Sequence, residues 1–320
     1  MHSFTQISER FEERLAAFQF PDAHAGLYNP CRYMLTLGGK RVRPALCLMA
    51  NELFGELHDD AFHAATALEL FHNFTLVHDD IMDAAPLRRG QPTVHTTQGL
   101  STAILCGDVL NIYAYTALGR VKHHLPDVMA LFNRTAIEVC EGQQMDMEFE
   151  QRNDVSRDEY IHMISLKTSV LLAAALQMGG VLGGASRSGA EKLYQFGMAM
   201  GIAFQLQDDY LDAFGDPART GKQAGGDILA NKKTIVGIAA RERATPAQSE
   251  ELSHLAASTA PEKVQRTLAV YRTLAADEES RDLVRQHSQQ AFEYLEQVPV
   301  TGSRKAPLHE LAEMLLSREY

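Results

Sequence analysis

Three aspartates, Asp79, Asp80 and Asp83, lie close together in an otherwise apolar stretch of the chain. On a helix, Asp79 and Asp83 are four positions apart and Asp80 and Asp83 are three apart, so the carboxylates share one face. Carboxylates this close repel one another and lose hydration beside apolar side chains, so a cation is expected there. Pairs of hard oxygen ligands suit Mg²⁺, which fills its remaining positions with water and phosphate oxygens.

The same acidic pattern occurs a second time. "HDDIMD" at 78–83 is matched by "QDDYLD" at 207–212, which contains Asp208, Asp209 and Asp212. Each copy ends a long apolar helical pattern and precedes a basic loop that contains glycine. Two such clusters facing each other across a cavity would hold several Mg²⁺ ions around one polyanion. The basic residues that offer phosphate ligands are Lys40, Arg88, Arg89, Lys222 and Lys232.

Other interpretations of the acidic residues stay open at this point. A single DDxxD motif also fits a solvated acidic helix end. The pair His78-Asp79 would suit a metal-dependent phosphohydrolase, but that site needs further histidine ligands and leaves the second cluster unexplained. A ferritin-like di-metal site would need matched Glu-x-x-His motifs, and none is evident.

Helical periodicity runs almost from end to end, and strand signals are nearly absent. The sequence therefore predicts an all-α, single-domain antiparallel bundle over 1–320 around a deep central cavity. The region after Arg241 lacks charged constellations and is expected to support the fold. The predicted helices are 3–19, 24–37, 42–55, 59–84, 101–122, 127–150, 157–182, 187–213, 227–240, 247–256, 261–275, 278–295 and 306–317.

Composition narrows the class of protein. The net charge of −11 argues against a broad basic footprint for nucleic acid, while local basic clusters stay open. The four cysteines form no CxxC pair, which indicates reduced, mostly packed thiols in a cytoplasmic protein. The N-terminus has no signal-peptide pattern, and the most apolar run, "SVLLAAALQMGGVLGG", is shorter than the ~20 residues of a membrane span. We therefore expect a buried core helix there and no membrane span.

Several motifs in order resemble the trans-isoprenyl diphosphate synthases, also called polyprenyl synthetases, a family that includes geranylgeranyl and farnesyl diphosphate synthases. The motifs are "GGKRVRP" at 38–44, "HNFTLVHDDIMD" at 72–83, "LRRGQPT" at 87–93, "GD" at 107–108, "KT" at 167–168, "FQLQDDYLD" at 204–212, "GKQAGGDI" at 221–228 and "NKKT" at 231–234.

The resemblance implies a helical homodimer that uses three Mg²⁺ ions per active site, with Mn²⁺ able to substitute. The implied substrates are isopentenyl diphosphate and an allylic diphosphate: dimethylallyl, geranyl or farnesyl diphosphate. The allylic diphosphate leaves, the double bond of isopentenyl diphosphate attacks the cation head-to-tail, and a proton is lost to the released diphosphate. Such a site must neutralise the leaving group and exclude water.

The resemblance also implies a role for each matched residue. The direct metal ligands implied are Asp79, Asp83 and Asp208, and the aspartates implied to be further ligands or to hold metal-bound water are Asp80, Asp209 and Asp212. The residues implied to contact the allylic diphosphate are Arg88, Lys167, Lys222 and Lys232. The residues implied to hold isopentenyl diphosphate are Lys40, Arg43, His72 and Arg89. Thr168 and Gln205 are similar to residues that steady the cation or the released diphosphate. Arg41 is expected to face solvent.

Two phenylalanines upstream of the first cluster are candidates for the floor of the cavity that limits product length. At ~1.5 Å per residue, Phe74 lies roughly 7–8 Å and Phe71 roughly 12 Å below Asp79. A large aromatic at Phe74, small Thr75 beside it and no insertion in the first motif resemble enzymes of the geranylgeranyl type. We therefore expect a C20 product, with C15 as the alternative; ordinary core packing of both rings stays open.

Two further functions remain as alternatives to condensation. A class I terpene cyclase shares the DDxxD motif, but usually has a second motif with Asn, Ser and Glu and only one diphosphate substrate. A non-catalytic subunit of a heteromeric synthase would be expected to lose metal ligands or basic residues, which this chain keeps. The loop 214–227 contains glycines and Lys222, and we expect it to close when diphosphate binds.

Overall fold

The computed structural model describes residues 1–216 and 225–316, and these residues are overwhelmingly helical, which confirms the all-α prediction. The helices are α1 Phe4–Ala16, α2 Ala25–Thr36, α3 Val42–Glu52, α4 Asp59–Met82, α5 Val94–Gln98, α6 Leu100–Leu118, α7 Leu125–Glu150, α8 Arg157–Ile164, α9 Val170–Leu182, α10 Arg187–Phe214, α11 Gly226–Leu229, α12 Ile235–Arg243, α13 Pro246–Ala257, α14 Lys263–Thr273, α15 Ala276–Glu296 and α16 Gly302–Leu316. A π-helical turn, Ser165–Ser169, joins α8 to α9. A short antiparallel hairpin, β1 Leu87–Arg88 and β2 Gln91–Pro92, follows α4.

Polar side chains set several of the helix starts. Ser3, Ser156 and Thr245 are the N-caps of α1, α8 and α13, and each accepts a hydrogen bond from the backbone N–H of the third helical residue. The Gln or Glu side-chain oxygen at that third position in turn accepts a hydrogen bond from the backbone N–H of the N-cap residue. These reciprocal bonds satisfy backbone donors that the first turn leaves unpaired, which is why the helices begin there.

The prediction of one continuous helix over 227–240 is wrong. α11 ends at Leu229 and α12 begins at Ile235, because Asn231 adopts a left-handed conformation with φ 54°. Thr234 then caps α12 by accepting a hydrogen bond from the backbone N–H of Gly237 at 3.3 Å. The break turns the "NKKT" motif into an exposed turn between two helices.

The first of two compact units consists of 1–132, 175–191 and 300–308. Its core is centred on α4, which packs against α3 and α6. In α4, most residues between positions 60 and 71 are buried, and they are mainly alanine, leucine and phenylalanine. Because buried residues occupy nearly every side of the helix there, α4 is a central helix and not an amphipathic surface helix. The last turn of this buried helix carries the first aspartate cluster.

Arg41 is buried in the first unit, so the expectation that it faces solvent is wrong. Its guanidinium donates to Glu69 Oε1 at 2.5 Å, to Glu12 Oε1 at 2.6 Å and to the carbonyl oxygen of Leu35 at 2.7 Å. A buried guanidinium is tolerated when carboxylates and carbonyls take up its donors. Arg41 therefore ties α1, α4 and the end of α2 to the start of α3.

The second compact unit consists of 133–174, 192–299 and 309–320, of which 217–224 and 317–320 lie outside the described residues. Its apolar core is formed by side chains of α7, α8, α10 and α12 to α15, among them Phe149, Ile164, Leu206 and Ile235. The polar region after Arg241 thus contributes to this core, as expected of supporting structure. The single-domain organisation over 1–320 stays a prediction.

The most apolar segment of the described chain is a core helix. Arg157–Leu182 is long and apolar enough to cross a membrane by length and composition, but 72% of its most apolar window is buried inside the protein. It gives no support for a membrane span. The cysteines agree with the sequence interpretation, since Cys31, Cys47 and Cys106 are buried free thiols and Cys140 is an exposed one. The cytoplasmic location stays a prediction.

Candidate active site

The first aspartate cluster lies at the C-terminal end of α4. Asp79 and Asp80 belong to the last turn, and Asp83 follows as the C-cap, with its N–H donating to the carbonyl oxygen of Asp79 at 2.8 Å. The side chain of Asp79 is 23% exposed and Asp83 is exposed, whereas Asp80 is buried. The predicted common face is therefore present, but only Asp79 and Asp83 reach solvent from it.

Arg88 holds the buried member of this cluster. Its Nε and Nη2 both donate to Oδ1 of Asp80, at 2.9 and 2.7 Å, and Nη2 lies 3.9 Å from Oδ2 of Asp79. The hairpin makes this contact possible, because Arg89 and Gly90 have φ of 53° and 75° and turn the chain back tightly between β1 and β2. The structure thus brings Arg88 to the aspartates, and its contact with the allylic diphosphate stays a prediction.

Arg89 lies against the glycine pair of the "GGKRVRP" motif. Its Nη1 donates to the carbonyl oxygen of Gly38, and a Cβ atom at Gly39 would come within 2.8 Å of Nη1. Gly39 has φ 134°, a conformation that other residues rarely adopt. Only glycine therefore fits under this guanidinium, and the exposed Lys40 follows directly in the chain.

Arg43 and His72 form the centre of the predicted isopentenyl diphosphate site. Arg43 Nη1 lies 3.1 Å from His72 Nε2. Burial, reinforced by the charges of Arg43 and Arg89, holds the pKa of His72 well below its usual range, so the imidazole is neutral and accepts this hydrogen bond. Burial also lowers the pKa of Arg43 to about 10, which leaves it charged at neutral pH. The neutral His72 thus orients the guanidinium of Arg43, and the positive charge of Arg89 acts on both residues.

His78 has a packing role. Its Nε2 lies 3.2 Å from the carbonyl oxygen of Ile104 on α6, and its ring meets Phe74 edge-on with centroids 4.8 Å apart. A Cβ atom at Gly107 would collide with this imidazole, which explains the glycine of the "GD" motif. Over the described ranges 1–216 and 225–316, His78 belongs to no group of three or more His, Cys, Asp or Glu side chains that could hold a metal ion, so the phosphohydrolase interpretation lacks its further histidine ligands.

The two candidate floor residues are in contact. The rings of Phe71 and Phe74 have centroids 5.4 Å apart, and Phe71 also meets Phe132 edge-on at 5.3 Å. Phe71 is buried, whereas Phe74 is partly exposed. The hydroxyl of Thr75 donates to the carbonyl oxygen of His72 at 2.8 Å, so this side chain is directed at its own helix. Phe74 is therefore the more accessible of the two rings, and the buried Phe71 packs against it.

In the second cluster, Asp209 is the buried aspartate. Its Oδ2 accepts hydrogen bonds from the hydroxyl of Tyr160 and from the backbone N–H of Ile235 at 3.1 Å, and its Oδ1 accepts from Gln205 Nε2 at 3.2 Å. Burial raises the pKa of Asp209 to about 7, although these donors oppose the shift. Asp209 thus joins α8, α10 and α12, and Tyr160 is a site residue that the sequence analysis missed.

Asp212 connects α10 to the short helix α11. Its Oδ2 accepts from the backbone N–H of Asp227 at 2.9 Å, and its carbonyl oxygen accepts from the N–H of Gly225 at 2.7 Å. Asp208, one position before the buried Asp209, is half-buried. The second cluster therefore resembles the first in having a buried second aspartate, while its last carboxylate is partly engaged by backbone.

Lys167 and Thr168 lie in the π-helical turn, which the sequence analysis did not predict. Lys167 Nζ is 2.5 Å from Asp146 Oδ2, and the Thr168 hydroxyl donates to Gln205 Oε1 at 3.3 Å. Two glycines let neighbouring helices approach this turn. A Cβ atom at Gly142 of α7 would collide with the backbone of Lys167, and one at Gly201 of α10 would come within 2.6 Å of Ser169 Cα. π-helical turns occur frequently at functional sites.

Lys232 is exposed in the turn between α11 and α12. Its backbone N–H donates to the carbonyl oxygen of Asp227 at 2.9 Å. The neighbouring Asn231 accepts a hydrogen bond at 2.9 Å from Nζ of Lys263, which is buried at the start of α14. Lys222 and most of the predicted closing loop, 214–227, lie outside the described residues.

The donor set fits Mg²⁺ bound together with a substrate. Within residues 1–216 and 225–316, no group of three or more His, Cys, Asp or Glu side chains is arranged to hold a metal ion. Mg²⁺ does not need one, since it commonly binds one or two carboxylates and completes its octahedron with water and phosphate oxygens. Carboxylates that repel each other without a cation, such as those of Asp79 and Asp83, suit this mode.

Comparison with known proteins extends the match beyond the motifs. The family model described as polyprenyl synthetase matches residues 24–274. A short chain isoprenyl diphosphate synthase of Methanothermobacter thermautotrophicus is 36% identical over 322 residues, covering 100% of this chain and 99% of the relative. A geranylgeranyl pyrophosphate synthase of Geoglobus acetivorans is 38% identical over 318 residues, covering 98% and 96%. A crystal structure of a geranylgeranyl pyrophosphate synthase has a TM-score of 0.95 and 41% identity, with 100% of both chains covered.

Proposed function

Because this chain belongs to the polyprenyl synthetase family and is a prenyltransferase, we propose that it condenses isopentenyl diphosphate head-to-tail with an allylic diphosphate. The product is a short-chain all-trans prenyl diphosphate, C20 geranylgeranyl diphosphate. The chain length follows the names of its relatives and the Phe74 position. C15 farnesyl diphosphate is the alternative.

The observation that carries the proposal is the basic group around His72. Arg43 contacts His72 and Arg89 contacts the carbonyl oxygen of Gly38, whereas the guanidinium of the neighbouring Arg88 is bound to Asp80. A condensing enzyme needs a second diphosphate site for its homoallylic substrate, whereas a terpene cyclase has only one diphosphate to bind. The pair of basic groups therefore favours condensation over cyclisation.

The aspartates of both clusters are proposed to bind Mg²⁺, three ions per active site, with Mn²⁺ able to substitute. When bound, the metal neutralises negative charge on the leaving diphosphate. Asp79, Asp83 and Asp208 are the proposed direct ligands. Asp80, Asp209 and Asp212 are proposed as further ligands or as holders of metal-bound water, with Asp80 and Asp209 positioned by Arg88 and Tyr160.

The basic and polar residues have proposed roles that follow the motif positions. The residues proposed to contact the allylic diphosphate are Arg88, Lys167, Lys222 and Lys232. The residues proposed to hold isopentenyl diphosphate are Lys40, Arg43, His72 and Arg89. Thr168 and Gln205, which are hydrogen-bonded to each other, are proposed to steady the cation or the released diphosphate. Preorganised donors of this kind stabilise charge that develops in the transition state.

The proposed reaction needs no protein base. The allylic C–O bond breaks, and its electron pair leaves with the diphosphate. The double bond of isopentenyl diphosphate attacks the allylic cation, and a proton then passes to an oxygen of the released diphosphate. Apolar walls keep water from the cation, and Phe74, backed by Phe71, is proposed as the floor that stops the growing chain.

A homodimer is proposed as the assembled form. α6 exposes large apolar side chains at Ile104 (42%), Leu105 (53%) and Ile112 (63%). Leu105 and Ile112 are seven positions apart and so share one face of the helix, and exposed apolar faces mark interaction sites. Ile112→Lys should shift the protein from twice the chain mass to the chain mass in light scattering. A wild-type protein that is a monomer would contradict the proposal.

A matched set of variants tests the metal roles. Asp79→Asn and Asp208→Asn should lower kcat at least about 100-fold, because neutral amides no longer balance the cations. Asp59→Asn is the control, since it removes a 77% exposed carboxylate from the other end of α4. Full activity of Asp79→Asn and Asp208→Asn would contradict the proposed metal roles. Inactivity of the purified wild type with both substrates and Mg²⁺ would favour a non-catalytic subunit.

A further inference from the structure

A polar cavity lies behind the "NKKT" turn, within the second unit. Its volume is about 620 Å³, within the ~300–1,000 Å³ usual for small-molecule sites. Its charged lining has four cations and two carboxylates, in a chain whose net charge is −11. The charged residues are Lys232, Lys233, Arg241, Lys263, Asp227 and Glu150.

Two of these cations, Lys233 and Arg241, are close neighbours that no carboxylate neutralises at short range. In the described parts of the chain, neither has an Asp or Glu oxygen within ion-pair distance. Burial and the positive charge of Arg241 lower the pKa of Lys233, and the negative charge of Glu150 only partly offsets this. Half-buried like charges are unfavourable unless an anion balances them.

A third cation, Lys263, is almost completely buried at 4% exposure. Its Nζ donates to Asn231 Oδ1 at 2.9 Å and to the carbonyl oxygen of Ala256 at 3.0 Å. An ammonium group has three donors, so one remains for a ligand in the cavity. A buried ammonium that has only neutral acceptors also lacks a counter-charge.

Tyr271 adds a hydroxyl donor to the same cavity. Among the residues that the structure describes, no hydrogen bond to this hydroxyl occurs. Gly237 of α12 leaves room for it, since a Cβ atom there would come within 3.1 Å of the hydroxyl oxygen. The cavity thus combines guanidinium, ammonium and phenol donors, which is the donor set that binds phosphate oxygens.

We propose that this cavity is a phosphate-oxyanion site, lined by Lys233, Arg241, Lys263 and Tyr271, that takes inorganic diphosphate. The choice of diphosphate over phosphate rests on the proposed function, which releases diphosphate. Asn231 and Lys232 belong to the turn that lines the cavity. An anion here would therefore stabilise the turn that carries Lys232.

Binding is measured without metal or prenyl substrate, so its failure is distinguishable from failure of condensation. The full chain in EDTA is titrated with inorganic diphosphate and, separately, with inorganic phosphate, by calorimetry and thermal unfolding. Sodium chloride at matched ionic strength is the reference. We expect saturable binding and a rise in Tm with diphosphate, and weaker binding of phosphate.

Arg241→Gln and Tyr271→Phe should weaken diphosphate binding, Arg241→Gln by about tenfold or more, as expected for loss of a charge-assisted hydrogen bond. Arg266→Gln is the control, because it removes a positive charge from the exposed side of α14. Equal affinity of all three variants and wild type would overturn the proposal, as would no binding of either anion by the wild type. Lys232→Gln is measured in the same way. If Lys232→Gln loses diphosphate binding while Arg241→Gln binds diphosphate as tightly as the wild type, the anion is bound by Lys232 alone and the proposal is overturned.

Discussion

The hydroxyl of Tyr160 donates a hydrogen bond to Oδ2 of Asp209, and both groups are buried. Asp80 of the first cluster is held in a similar way, by two donors of Arg88. In each DDxxD motif, the second aspartate is therefore fixed by another side chain of its own unit. A fixed second aspartate holds the helix end that carries the outer carboxylates, and we propose that this positions those carboxylates for Mg²⁺.

Removal of the Tyr160 hydroxyl tests this positioning role. Tyr160→Phe should lower the free energy of unfolding by about 1–3 kcal/mol, because the Asp209 carboxyl loses a buried partner. It should also lower kcat more than it raises KM for isopentenyl diphosphate, since the changed group lies beside Gln205 and Thr168. Urea unfolding and steady-state kinetics measure the two effects.

The control for this experiment is Tyr210→Phe. Tyr210 is on the same helix as Asp209, and its ring packs against Phe214 with centroids 5.4 Å apart. The described residues provide its hydroxyl with no hydrogen-bond partner, so its removal should change little. Equal effects of the two substitutions on stability and kcat would argue against a positioning role for Tyr160.

The neutral His72 makes stability depend on pH in a defined direction. Its pKa in the folded protein lies well below the usual value, whereas in the unfolded chain it is about 6.5. Below that pH the unfolded state takes up a proton that the folded state does not, so this group lowers stability as pH falls. Above pH 6.5, where both states are neutral, the contribution is constant.

The measurement is denaturant unfolding between pH 5 and pH 8 for wild type and His72→Gln. Below pH 6.5, the free energy of unfolding should fall less steeply with falling pH in the variant than in the wild type, by up to about 1.4 kcal/mol per pH unit. His254→Gln is the matched control, because His254 is 80% exposed. Identical pH profiles for wild type and His72→Gln would mean that His72 takes up a proton in the folded state.

The floor hypothesis predicts longer products from smaller side chains. Phe74→Ala should lengthen the product, because Phe74 is the partly exposed ring of the pair. Phe71→Ala alone should chiefly reduce stability, by about 3–5 kcal/mol, since the buried ring leaves a cavity. Chromatography of the products measures chain length. Unchanged length in both Phe74→Ala and the double variant Phe71→Ala/Phe74→Ala would reject the floor.

The π-helical turn predicts that Gly142 cannot be replaced without loss of activity. A Cβ atom there would push against the backbone of Lys167 and disturb its contact with Asp146. Gly142→Ala should therefore lower kcat, although alanine favours a helix. Gly26→Ala in α2 is the control, because no atom lies within 4 Å of the added methyl group. Normal kinetics of Gly142→Ala would show that the turn tolerates displacement.

The sequence predicted what periodicity and motif spacing encode. Local chain geometry accounts for the helices and for the common face of Asp79 and Asp83. Arg88 lies close to the first cluster because it follows the cluster by only a few residues in the chain. The break between α11 and α12 was missed because Asn231 enters the left-handed region, which its residue type permits but does not require.

Contacts between distant segments could not be predicted from spacing. Tyr160 is 49 positions from Asp209, and no pattern around it distinguishes a buried donor from an ordinary core tyrosine. The burial of Arg41 could not be predicted either, because it depends on Glu12 and Glu69, which lie on other helices. The π-helical turn gave no sequence signal, since Ser165–Ser169 has ordinary helical composition.

A product assay measures the proposed condensation itself. Purified protein, Mg²⁺ and labelled isopentenyl diphosphate are incubated with each of the C5, C10 and C15 allylic primers, and chain length is read by chromatography. We expect Mg²⁺-dependent condensation with a C20 product. A C15 stop would keep the reaction and place the floor nearer the aspartates. No condensation with any primer, in a buffer where a known farnesyl diphosphate synthase is active, would contradict the account.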